Sequence, residues 1–307
     1  VDLEFADEIL LDEDEVTARL LETFSNPSYR PPKMPGVAME LMNLAQKLDV
    51  TFDEVVALLE QDAMLTGQVM RLMQSVVYSG QTRITSLKQA LVRMGLRNLR
   101  DIVLEASLNM RVFRSDAYAD TMERIRRHST LVAHVSRVVC KYTSMEGEYA
   151  FICGLLHDVG VAGILIALSE TAAKDAPPDL IAIWPAIDRI HPEAGVLMAK
   201  HWELPAEVQM VVGAHHKVLI DDFPHPLAAT VCLAEDIAHQ LGAGLVASDS
   251  DDPGGTTSLE ATCLQSHTNV DRSRPRVLEH ASQALCLGAA QLDLIKDEAA
   301  EIQENLG

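Results

Sequence analysis

The stretch Phe151-Ile152-Cys153-Gly154-Leu155-Leu156-His157-Asp158-Val159-Gly160-Val161 decides how the rest of the chain is read. An ionisable pair stands there between two apolar runs. Burying a charge in such surroundings is costly unless a partner or a metal compensates it. The pair is therefore expected in a shared, buried polar site. The longest continuous apolar run, Val159 to Leu168, is about half of the roughly 20 residues that a membrane span needs, so it predicts a core helix of a soluble protein.

Candidates to share that site follow in order along the chain: His128 before the doublet, then His191, His215-His216 and Asp236 after it. Imidazole and carboxylate are the ligands that hold borderline and hard divalent cations. Helices can each supply one or two of them to a common core pocket. A carboxylate such as Asp158 can bridge two metals about 3.5–4 Å apart and so clamp or activate a water for attack on phosphorus. Each residue also has a plain reading. His128 follows Arg126-Arg127 and reads alone as a surface residue. His191-Pro192 reads as a helix N-terminal segment, His215-His216 as a helix end, and Asp236 as a paired core acid. The ordered combination, not any single pair, points to a metal. His134, His201, His225, His239, His267 and His280 show no such order and read as structural or solvent-facing.

Composition sets the frame around this constellation. The 307 residues are 48% hydrophobic and 23% charged, which excludes a largely disordered chain. Only 4% are aromatic, so aliphatic residues and twelve Met must do most of the packing, and this predicts helices rather than β-sandwiches. The 25 basic residues stand against 45 acidic ones, a net charge of −20 that argues against general nucleic-acid binding. Charge is uneven. Eight acids and no base occupy residues 1–15, whereas Arg83 to Arg137 carries eleven bases against five acids, a candidate surface for an acidic partner, a nucleotide or the chain's own N-terminal arm. Five cysteines, odd in number and without a CxxC pair, together with an acidic rather than basic–apolar start, predict a cytoplasmic protein that spans no membrane.

Helical punctuation is legible throughout. Pro31-Pro32-Lys33-Met34-Pro35-Gly36 marks an extended entry. Thr51 with Glu54, and Ser86 with Gln89, have capping-box spacing, and Leu65, Val69, Leu72 and Val76 keep helical intervals up to Gly80. Gly95 separates a helix over Leu87, Ala90, Leu91 and Met94 from the next over Leu99, Ile102, Val103 and Ala106. The organisation expected is all-α: an acidic arm at 1–30, an N-terminal helical bundle at 31–112 packed on a second helical bundle at 113–246, a mobile loop at 247–275, and C-terminal helices at 276–307.

The set His128, His157-Asp158 and Asp236 resembles the HD superfamily of metal-dependent phosphohydrolases. His191, His215 and His216 are similar to additions in its di-metal HD-GYP branch, which hydrolyses cyclic di-GMP. Lys217-Val-Leu-Ile-Asp-Asp-Phe-Pro224 departs from that branch by lacking Gly-Tyr-Pro. The upstream unit resembles the HDOD family specifically, through Pro32-Lys-Met-Pro35, Gln61 to Arg71, Ile84 to Leu91, Met94-Gly-Leu-Arg-Asn-Leu-Arg100 and, further on, Trp202-Glu-Leu-Pro205. The resemblance implies a signal-transduction regulatory module of bacterial type, acting through a protein or nucleotide partner. It implies one or two divalent ions (Fe, Mn, Mg or Zn) held by His128, His157, Asp158, His191, His215, His216 and Asp236. The alternative it implies is a metal-dependent phosphohydrolase of nucleotides or cyclic dinucleotides, with Asp158 in the catalytic role.

Overall fold

The computed structural model describes residues 17–18, 20–23, 31–34, 36–44, 50–75, 78, 84, 86–145, 147, 149–171, 180–245 and 274–306. Twelve helices are placed among them: α1 (Gly36–Leu44), α2 (Phe52–Leu59), α3 (Ala63–Leu72), α4 (Leu87–Arg111), α5 (Ala119–Lys141), α6 (Ala150–Leu156), α7 (Val159–Thr171), α8 (Leu180–His201), α9 (Ala206–Ala214), α10 (Pro226–Gln240), α11 (Arg274–Ala284) and α12 (Ala289–Leu306). One two-stranded antiparallel ribbon departs from the all-helical expectation, with β1 (Leu219–Ile220) against β2 (Phe223–Pro224). Its turn residues Asp221 and Asp222 both take positive φ, the conformation that a two-residue hairpin of the right twist requires.

The caps form where the sequence puts them. The Thr51 side chain accepts from the Glu54 amide while the Glu54 carboxylate accepts from the Thr51 amide at 2.8 Å. Ser86 caps α4 through the Gln89 amide, and Asp62 caps α3 through the Leu65 amide. Gly95 breaks α4 with φ 78° and ψ 169°, a conformation that suits a residue without Cβ. Helix α3 ends at Leu72, earlier than the apolar intervals predict; Val76 and Gly80 lie outside the described residues, as do most of the acidic arm and of the expected loop. Arg274 and Pro275 already belong to α11, so helix resumes two residues sooner than expected.

Helices α1 to α3 pack on α4, while α5 lies against α6, α10 and α12, and α8 lies between α7 and α9. The Trp202 indole N–H donates to the Pro32 carbonyl at 2.8 Å and fastens the Pro-rich entry to the end of α8. The segment Ala150–Glu170 is 21 residues long and, by length and composition, apolar enough to cross a membrane, but 89% of its most apolar stretch is buried inside the fold. It is the core of this helical assembly, with His157-Asp158 at its centre.

A second buried polar cluster joins α4 to α5. Asp101 is held by Arg100 and Arg137, and the Tyr78 hydroxyl donates to Glu105 at 2.9 Å with His134 Nε2 3.3 Å away. Burial raises the Glu105 carboxyl to about 7, against the opposing effects of the Tyr78 hydrogen bond and the charges of Arg126 and Arg137. Asp101 nearby adds to the rise, and burial holds His134 neutral, down to about 3. An acid that keeps its proton to higher pH when folded stabilises fully below its unfolded value and loses that contribution as pH climbs through the folded one. Urea denaturation of the wild type is therefore expected to show a loss of about 3 kcal/mol between pH 4.5 and pH 8 from this group. In Glu105→Gln that fall is expected to disappear; an unchanged pH slope in the variant refutes the assignment.

Candidate metal centre

Backbone proximity assembles the site before any side chain acts. At Gly154 a Cβ would lie 2.8 Å from the Ala133 Cα and the Val132 carbonyl, so α6 lies directly on α5. At Gly160 it would lie 1.9 Å from the His191 carbonyl, so α7 lies directly on α8. These contacts bring His157 to His128 and Asp158 to His191. His191 is inside α8, followed by Pro192, rather than at a helix N-terminus. His215 and His216 follow α9 immediately.

The imidazoles are oriented from behind. Each of these Nδ1 atoms faces a main-chain carbonyl: His128 that of Ala243 at 2.8 Å, His157 that of Gly154 at 2.8 Å, His215 that of Val212 at 2.7 Å, and His191 that of Ile187 at 3.3 Å. A carbonyl accepts only, so Nδ1 carries the hydrogen and donates, and the Nε2 of each neutral ring is left as a lone pair. Those Nε2 atoms point at one another. His128 and His157 are 3.2 Å apart, His191 and His215 3.2 Å, and His191 and His216 3.1 Å. Two neutral rings would turn lone pairs on each other, so each contact calls for a proton or an ion between its two nitrogens. Two nitrogens bound to one ion at about 2.1 Å, with angles between tetrahedral and octahedral, lie about 3.0–3.4 Å apart, so the spacing fits shared coordination.

Asp158 links the two histidine groups. Its Oδ2 is 3.1 Å from His157 Nε2 and 3.7 Å from His128 Nε2, while its Oδ1 is 3.4 Å from His215 Nε2 and 3.5 Å from His191 Nε2. Burial opposes its charge, but the charge and hydrogen bond of His157, with His215 and His191, hold the carboxyl well below the usual range. Burial alone would lower His157, yet Asp158 raises it to about 9; burial and His157 push His128 down to about 3.

Among the described residues, three donor sets converge: His128, His157 and Asp158; His191, His215 and His216; and His128, Glu235 and His239. Asp236 is in none of them. Its Oδ2 accepts from the Gln240 amide at 2.6 Å, and the carboxylate of α10 that faces the histidines is its neighbour Glu235, 3.6 Å from both His216 Nδ1 and His239 Nε2. Glu235 and His239 escaped the sequence reading, although their i, i+4 spacing puts them on one face of α10. Of the remaining histidines, His225 caps α10 by accepting from the Ala228 amide, and His267 lies outside the described residues.

The HDOD domain model matches residues 32–218, which is more than half of the chain. The chain belongs to the HDOD family. An uncharacterised protein of Treponema pallidum (strain Nichols) is 27% identical over 218 residues, covering 66% of this chain; the chain spans 41% of that relative's length. An HDOD domain protein of unknown function from Geobacter sulfurreducens superposes with a TM-score of 0.63 at 22% identity, covering 96% of this chain and 99% of that one. A Shewanella amazonensis SB2B protein, provisionally described as a metal-dependent phosphohydrolase, superposes with a TM-score of 0.66 at 17% identity, with coverage of 96% and 99%. These likenesses show a shared HDOD helical fold.

Gly160→Ala is expected to cost about 3 kcal/mol by forcing α7 from α8, and to lower metal affinity because Asp158 and His191 move apart. Gly67→Ala, in exposed helix with open space around it, is expected to gain about 0.5–1 kcal/mol instead. Thermal denaturation with metal analysis checks both; equal effects of the two substitutions contradict the close-approach argument.

Proposed function

We propose that this HDOD chain is a regulatory signalling module whose core holds two divalent cations, one on each side of Asp158. The supporting observation is the set of buried imidazoles fixed through Nδ1, with their Nε2 atoms converging on the two oxygens of one carboxylate. Burial of the donors favours a holding role over turnover: His128, His157, His191 and His215 are all buried, and His216 is the exposed edge of the set. The partner is a protein or a nucleotide. The basic stretch running through α4 and α5 supports an acidic one, and the cysteine pattern suits the cytoplasm.

The position of Asp158, with one oxygen towards each histidine group, favours a second reading, phosphohydrolysis, because two divalent ions held there would supply Lewis acidity and an acidified water to a phosphoryl group. In that reading His216 and Glu235 face the substrate, with Glu235 held ionised, against its burial, by the nearby imidazoles of His216 and His239.

Elemental analysis of chain purified without chelator is expected to find two divalent ions, both lost in Asp158→Ala and one lost in His215→Ala, with the Asp236→Asn content unchanged. A metal-free wild type, with Asp158→Ala folding as well as wild type, defeats the proposal. Turnover of nucleotides or cyclic dinucleotides with Mn²⁺ or Fe²⁺ transfers it to the second reading.

A further inference from the structure

Helix α12 lies along α5 and is held there mainly by polar groups. Glu298 takes the Lys141 ammonium on one oxygen and the Tyr142 hydroxyl on the other, each at 2.6 Å, and Gln291 Nε2 donates to the Tyr142 carbonyl at 3.0 Å. Of the 18 residues of α12 only Ile295 and Ala299 are buried, and Leu294 is half exposed. Helix α5, by contrast, buries more than half of its residues. A helix with so small an apolar anchor opens at lower cost than the core beneath it, so the docking of α12 is the adjustable part of the pair.

The far end of α12 reaches towards the metal centre. The last carbonyls of a helix have no partner within it. At the end of α10 one of them, that of Leu241, accepts from Gln303 Nε2 at 3.0 Å. The chain then turns. Gly242, with φ 78°, donates to the His239 carbonyl, and Ala243 donates to that of Ala238, both at 3.0 Å, which closes a Schellman-type helix end and fixes where the next groups point. The Ala243 carbonyl faces His128 Nδ1 at 2.8 Å. At Gly244 a Cβ would lie 2.5 Å from His239 Nδ1, so the backbone there lies directly against that ring. One turn, gripped at its base by Gln303, thus touches both imidazoles of the donor set formed by His128, Glu235 and His239.

We propose that α12 reports the state of the metal centre, with Gln303 as the positioning residue that joins them: an ion on His128 tightens α12 against α5, and its loss loosens α12. The inference rests on the reading of the buried imidazoles as metal ligands. Coordination at Nε2 draws electron density from the ring and makes Nδ1–H a stronger donor, so the Ala243 carbonyl is held harder and the turn that begins at Leu241 stiffens. A Leu241 carbonyl already ordered leaves less freedom to be lost when Gln303 binds it, and α12 docks more firmly without any change of shape. Coupling of this kind is reciprocal, so loosening α12 weakens the ion at His128 by the same factor. It is also one-sided. His191 and His215 rest their Nδ1 atoms on the Ile187 and Val212 carbonyls, which belong to α8 and α9, so the ion between them is left out.

Hydrogen–deuterium exchange of the full chain, read by mass spectrometry before and after loading with Mn²⁺, tests the coupling. Amides of α12 are expected to exchange severalfold more slowly with Mn²⁺ bound, while those of α2 and α3 change far less. Gln303→Ala is expected to retain both ions, one of them bound severalfold more weakly, and to lose the α12 response. Glu298→Ala, which releases the other end of the helix and leaves the turn alone, is expected to speed α12 exchange in both states yet keep the slowing by Mn²⁺. Equal slowing in α2, α3 and α12 is general stabilisation and overturns the proposal, as does a Gln303→Ala chain that responds like the wild type. Loss of the response in both variants overturns the role of Gln303. Mn²⁺ uptake without any change in α12 refutes the coupling alone, whereas a wild type that takes up no Mn²⁺ refutes the metal reading and the coupling built on it.

Discussion

A single carboxylate, that of Asp158, sets the terms for most of this molecule. It is buried between imidazoles from four parts of the chain and held in its ionised form by them. A buried anion is tolerated only if its partners are close and fixed, and the partners here come from α5, the α6–α7 junction, α8 and the end of α9. Helices that far apart in sequence can share one carboxylate only by packing at backbone distance, which is why the core is built of Gly, Ala and aliphatic residues with few large aromatics.

The sequence carried the helical class and most of the donors because both leave local signals. Thr51-Phe-Asp-Glu54 is a cap that acts within one turn, and Gly95 is a break whose effect falls where it stands. His157-Asp158 stood out because its apolar neighbours could not otherwise house it. What stayed illegible was orientation around a helix axis that is buried on nearly every side. Along α10, Leu227 to Ala234 are all buried, so the pattern offers no polar face to tell Glu235 from Asp236. Packing against α5 decides it, turning Glu235 to the histidines and leaving Asp236 beside Gln240. The short ribbon after His216 escaped for a different reason: two-residue strands carry too little alternation to register.

Helix α5 gives the assembly its continuity. It presents His128 to one polar centre and His134, Arg137 and Lys141 to another, along a rod in which Lys141 lies about 20 Å beyond His128. Buried polar groups at both places must be satisfied by neighbours rather than by water, so each fixes the helix against different partners: α6 and α10 around His128, α4 and α12 around the far end. Rotation of α5 at one end is thereby resisted at the other.

The glycine at position 160 sets an upper limit on side-chain size where α7 crosses α8. Its side-chain space is filled by the carbonyl of His191, so even a methyl group there pushes the two helices, and with them Asp158 and His191, apart. A position that touches no ion and performs no chemistry thus acts as the spacer gauge of the centre.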